Sequence, residues 1–146
     1  MTTLRALATA LLLAFAGSAQ AQLLVEVALL PAIASQLFPP MSFPASSLRA
    51  QGAGTGAVIA RVPDAAVWTD WEVYTATGLV AALEPALVYD VERGLLMDGF
   101  FREETTNSQV GAERHTRIVF VEGDRRALLY LIRTERELVW LVARNR

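Results

Sequence analysis

The chain has no cysteine, no lysine and a single histidine among its 146 residues. Without cysteine there is no disulfide, no thiolate nucleophile and no zinc–thiolate centre. A small domain exported through an oxidising compartment often leans on disulfides. This one has to rest on its apolar core, and an apolar content of 53% suffices for that. The missing lysine means that all thirteen basic residues are arginine. Together with the many alanines this reads as the composition of a GC-rich bacterial genome, because chemistry demands arginine mainly at bidentate or stacked sites. The lone histidine, His115, cannot build a multi-histidine metal site.

Charge of one sign is also scarce. Fifteen acids against thirteen arginines give a net charge of −2. The arginines concentrate after residue 101, but Glu113, Glu122, Asp124, Glu135 and Glu137 interrupt them. A nucleic-acid binder needs a clear basic stripe, so no nucleic-acid partner is expected.

What is present begins at the N-terminus. Residues 1–21 read as a secretory signal peptide: Arg5 supplies the positive start, residues 6–16 the apolar stretch, and Ala19-Gln20-Ala21 a small-x-small cleavage site. Cleavage is expected after Ala21 or after Ala19. The apolar stretch is too short for a spanning helix, which needs about 20 residues, so no transmembrane span is expected after cleavage. The expected location is periplasmic or secreted, in a Gram-negative bacterium.

Residues 22–56 read as an apolar segment followed by a Pro/Gly/Ser-rich arm. Residues 23–38 are apolar, interrupted by Glu26, Pro31, Ser35 and Gln36, and lack the basic polar face of an interfacial helix. Packing on the core is the favoured reading, with membrane contact as the rival. Residues 39–56 carry Pro39, Pro40 and Pro44 with serines and glycines, the punctuation of an extended segment.

Residues 57–146 read as an antiparallel β domain. Residues 67–76 alternate as a half-buried strand does. Trp68, Trp71 and Tyr74 also share a helical face, so the rival is a helix at about 64–84 packed on the sheet; β-branched and aromatic content favours the strand. Pro85 is expected to end the alanine-rich stretch before it. Residues 88–96 suggest a hairpin turning at Glu92-Arg93-Gly94, and Asp98-Gly99 a second turn. Residues 107–113 read as a polar loop between two strands. Residues 117–122, 127–133 and 138–143 form an antiparallel meander joined by short polar links. These last strands are apolar on both faces, so they are either covered twice or meet a partner. The expected fold is mostly β, an antiparallel meander closing into a small barrel or two-layer sheet, with the α+β arrangement as the alternative.

No constellation points to catalysis. Gly52-Ala53-Gly54-Thr55-Gly56-Ala57 matches a dinucleotide fingerprint, with Glu72 at the distance of a ribose-binding acid. The match is rejected because a Pro/Ser-rich stretch precedes the glycines and Pro63 leaves too short a run for the helix that must follow. Ser108, His115 and the glutamates nearby do not specify a triad, which geometry alone defines. Asp90 and Glu92 read as solvated acids rather than a glycosidase pair. No metal site and no cofactor are expected, and the leaning is against an enzyme. The expected role is a non-enzymatic binding or interaction module of the envelope. Its partner would be another protein or a second copy meeting the apolar strand faces. The alternative is a small ligand-binding or enzymatic domain with an internal pocket near Trp71, Tyr74, Tyr89 and His115.

Overall fold

Two-residue alternation and short turns build most of this molecule. The computed structural model describes Leu24 and residues 26–145; the expected signal peptide lies outside them. Seven strands occur in the order β1 (Ala28–Pro31), β2 (Leu48–Gln51), β3 (Asp70–Thr77), β4 (Phe101–Val110), β5 (Glu113–Glu122), β6 (Arg125–Arg133) and β7 (Glu137–Arg144). Helix α1 (Thr55–Ile59) and a 3₁₀ turn (Ala65–Val67) lie between β2 and β3, and helix α2 (Val80–Met97) lies between β3 and β4.

All strands pair antiparallel in one sheet of spatial order β1-β2-β3-β7-β6-β5-β4. The mostly-β, antiparallel expectation holds, and β5–β6–β7 are the meander read from the sequence. The sheet does not close into a barrel; β1 and β4 remain as its edges.

Each central strand is apolar on both faces because both faces are covered. On the first face lie Tyr74, Ile118, Phe120, Leu129, Leu131, Trp140 and Val142, packed with α2 and with Phe38, Met41 and Phe43. On the second lie Val73, Val119, Leu128, Tyr130, Ile132, Val139 and Leu141, packed with Val58, Val62 and Trp68 of the α1 segment. The chain therefore supplies its own cover for the strands expected to need a partner.

Several local expectations are corrected. The favoured strand at residues 67–76 holds as β3 at 70–77, and it is the rival helix at about 64–84 that falls. The long helix starts at Val80, runs through Pro85 and occupies the place of the hairpin expected at residues 88–96. Residues 57–59, read as β, lie in α1. The polar stretch 107–113 is mostly strand, shared by β4 and β5 around a turn at Gly111 and Ala112. The segment before residue 57 is no separate arm either. It contributes β1 and β2 to the same sheet, and its loop sends three large side chains into the core.

That loop, residues 32–47, is held by a buried carboxylate. Glu72 on β3 accepts hydrogen bonds from the Ser35 hydroxyl, from the Gln36 amide at 2.8 Å and from the Leu37 amide at 3.2 Å. Ser35 in turn accepts from the Phe38 amide at 3.0 Å. The acid once measured against a ribose is a loop anchor.

Candidate functional site: the outer face of the long helix

Helix α2 owes its inner face to Val80, Leu87, Val91 and Leu95, all buried against the sheet. Glu84 on the same side pairs with Arg133 of β6 at 2.6 Å. Gly94 permits close approach to the loop at Pro40 and Met41. Pro85 withholds one amide, but it sits on the exposed side, where the carbonyl it frees is open to water. The helix ends in a Schellman motif: Phe100 N–H donates to the Leu95 carbonyl at 2.9 Å and Gly99 N–H to the Leu96 carbonyl at 3.1 Å. Gly99 adopts the positive φ of 88° that this stop requires.

The outer face departs from the usual pattern. A surface helix ordinarily turns charged residues to solvent. Here the exposed positions are small at the N-terminal half, with Ala81, Ala82, Pro85 and Ala86, and large at the C-terminal half, with Tyr89, Leu96 and Met97. Arg93 is the one charged residue among these fully exposed positions. Tyr89 is 64% exposed and Met97 73%. Pro39 and Pro40, also exposed, flank the face beside Gly94.

The four residues proposed for a pocket are not brought together. Tyr89 stands at the middle of this outer face. Tyr74 lies beneath the helix side of the sheet, 4.5 Å from Phe43 and stacked 5.6 Å from Trp140 between ring centroids. Burial and the neighbouring Glu72 charge push its phenol far up. Trp71 is half-buried on the opposite face, against the second core. His115 shares that face, but β7 and β6 separate it from Trp71, about 14 Å across the strands at normal spacing, and the register sets it four residues further along.

His115 is the centre of a polar network of its own. Its Nδ1 lies 2.8 Å from the Tyr130 hydroxyl and its Nε2 3.1 Å from Glu113. Glu113 also receives Arg61 of the α1 segment. Burial opposes ionisation of Glu113, but the hydrogen bonds from Arg61 and His115 outweigh it and hold the carboxyl below its ordinary range. Burial raises the Tyr130 phenol. Nearby, Arg117 binds Asp64 at 2.6 Å and Glu104 at 3.1 Å, and the Asp64 bond raises the guanidinium further. Both ring nitrogens of His115 are committed, and the network fastens the α1 segment over the second face.

A notch of about 190 Å³ lies at the end of the sheet, lined by Phe38, Phe100, Arg125, Arg126, Arg144 and Asn145. Each arginine already pairs with an acid: Arg125 with Glu122, Arg126 with Glu103 and Arg144 with Asp70. Among the described residues no group of His, Asp or Glu is arranged to hold a metal ion, and no helix is long and apolar enough to cross a membrane.

The sequence carried one unread signal for the outer face. Ala82, Pro85, Tyr89, Arg93 and Leu96 recur at helical spacing, masked by a proline and a glycine that read as breakers. No protein-family model, no curated protein and no solved structure matches the chain.

Proposed function

We propose that this chain is an exported, non-enzymatic interaction module that docks onto an apolar protein surface through the outer face of α2. The observation that carries the reading is that Arg93 is the one charged residue among the fully exposed positions of α2. Exposed apolar stripes of this kind mark contact surfaces when they are contiguous. The filled cores on both faces of the sheet favour a surface role over an internal pocket. Tyrosine at the centre of the stripe suits a contact residue, being large, rigid and amphipathic. Export rests on the N-terminal pattern of Arg5, the apolar stretch and Ala19-Gln20-Ala21.

A photoreactive residue placed at position 89 tests the docking face in the expressing cell. The expected result is a specific crosslinked product, identified by mass spectrometry, that a Leu96→Glu change abolishes. The same probe at Gln109, on the edge strand, is expected to give none. A folded protein that gives no product from position 89 overturns the reading. Cell fractionation with N-terminal sequencing tests export. Gln22 or Gln20 is the expected first residue, and an intact Met1 in the cytoplasm refutes export.

A further inference from the structure

We infer that residues 52–69 form a hinged flap over the second face of the sheet, rooted between β2 and β3 and clasped at its tip to β5, and that it opens as a unit to bare the apolar face beneath. Strand β2 ends at Gln51 and β3 begins at Asp70, and the two strands are neighbours. Both ends of the segment therefore lie at one side of the sheet. From there it crosses β7 and β6, about 14 Å at normal strand spacing, to reach β5. Arg61 and Asp64, at the middle of the segment, make the far contact: Arg61 pairs with Glu113, and Asp64 with Arg117 at 2.6 Å. The clasp is reciprocal, a cation and an acid of the flap meeting an acid and a cation of the strand.

Between root and tip the main chain is not tied to the sheet. Among the described residues, the main-chain hydrogen bonds of residues 53–68 close within the segment, from Thr55 N–H on the Gly52 carbonyl to Trp68 N–H on the Ala65 carbonyl, each at 3.2 Å. The tie to a strand comes at Thr69, whose N–H donates to the Arg144 carbonyl at 3.0 Å. At the other root Gly52 holds a φ of 117°, and a Cβ placed there would meet nothing within 4 Å. A glycine in this conformation, with open space around it, can absorb the backbone rotation of a hinge.

Side chains hold the flap down, and they do so imperfectly. Val58, Val62 and Trp68 join the second core with Leu128, Ile132 and Leu141. Yet Trp68 Nε1 and Asp64 Oδ1 are buried without a hydrogen-bond partner among the described residues. A buried polar atom left unpaired weakens the closed state, and opening gives both atoms to water.

The flap does not keep its own structure once it lifts. Helix α1 has five residues, and neither it nor the 3₁₀ turn has a side-chain cap. So short a helix does not persist without packing. Opening therefore frees the amides of Ala60, Arg61, Val62, Ala65, Val67 and Trp68 together, whose partners all lie inside the segment. A segment with few buried apolar side chains and no ladder bonds opens below the free energy of global unfolding. Strand β6 is the opposite case, with a ladder on each side.

Hydrogen exchange on the purified chain, read by mass spectrometry, tests the flap. The amides of residues 60–68 are expected to exchange together, roughly tenfold or more faster than those of β6 and β7. Asp64→Asn and Arg61→Gln each loosen the clasp without touching the apolar anchors. Each is expected to speed exchange across the whole segment about tenfold and to leave β6 and β7 unchanged. Circular dichroism checks that both variants stay folded; if either does not, the exchange pattern of the parent chain decides alone. Exchange of the segment at the rate of β6 and β7 overturns the flap, because the segment then opens only with global unfolding. Exchange that quickens only beside the substituted residue overturns its opening as a unit.

Discussion

Gly94 of α2 rests on the backbone of Met41: a Cβ built at position 94 would stand 2.6 Å from the Met41 Cα and 2.7 Å from the Pro40 carbonyl oxygen. The obstacle is main chain, not the movable tip of a side chain. Alanine at a helix interior gains about 1 kcal/mol over glycine, but forced overpacking costs about 1–3 kcal/mol and here the loop itself must shift. Gly94→Ala is therefore expected to destabilise the protein by about 1–2 kcal/mol net. A lowered urea midpoint with unchanged slope checks it; a midpoint equal to or above that of the parent chain refutes the close contact.

The loop that Gly94 touches has its other anchor at Glu72. Removing that carboxylate leaves the buried Ser35 hydroxyl and the Gln36 and Leu37 amides without their acceptor. A hydrogen bond to a charged group contributes about 1.5–3 kcal/mol, so Glu72→Ala is expected to lower stability by at least 2–3 kcal/mol. Gln at this position keeps one acceptor oxygen for the amides, yet its NH₂ meets a serine oxygen already bonded to the Phe38 amide. Glu72→Gln should fall between the two. Chemical denaturation ranks the three chains, and faster amide exchange confined to residues 35–38 in Glu72→Ala would place the effect in the loop.

The contrast between β6 and α2 explains what could be read in the sequence. Strand β6 is apolar at every position from Ala127 to Ile132 and ends at short polar turns, so its type and bounds followed from pattern alone. Helix α2 contains Pro85 and Gly94, two residues that break helices on average. Both are tolerated here for tertiary reasons: the proline faces solvent, and the glycine fits under Met41. Strand β4 was half lost because an edge exposed on both sides has no buried face to impose a period. The short β2 resembled a linker because it lies between prolines and glycines, whereas β1 falls in the apolar segment expected to pack on the core. Of the candidate site residues, Tyr89 lies on the face now proposed to dock. Glu113 was one of several glutamates near His115 in sequence, and the other partner of His115, Tyr130, sits on the next strand. Their facing depends on register, which no local pattern encodes.

The His115 network predicts an acid-sensitive clamp on the α1 segment. Glu113 has its folded-state pKa lowered below 4.5 by Arg61 and His115, against the opposing effect of burial. A depressed carboxyl contributes stability that is fully present above its unfolded pKa and is lost as pH falls through the folded value. The stability difference between the parent chain and Glu113→Gln is thus expected to be constant near neutrality and to shrink as pH drops below about 4.5. Urea denaturation at steps from pH 7 to pH 3 measures it. A difference that stays constant across the range would show that Glu113 acts by packing alone.

At the alkaline end the sign reverses, and Tyr74 is the group to follow. Its phenol is raised from 10.0 by burial first and by the Glu72 charge second. A tyrosine whose folded pKa exceeds its unfolded value holds its proton better in the native state. The unfolded chain therefore ionises first, and stability drains away as pH rises above about 10. Tyr130 contributes in the same direction. Tyr74→Phe removes the larger of the two effects while keeping the ring stacked on Trp140. The parent chain is expected to lose stability between pH 9.5 and 11 more steeply than Tyr74→Phe, with the two slopes equal at pH 7–9. Equal slopes above pH 10 as well would mean that the Tyr74 hydroxyl reaches water in the folded protein, contrary to its place beneath α2.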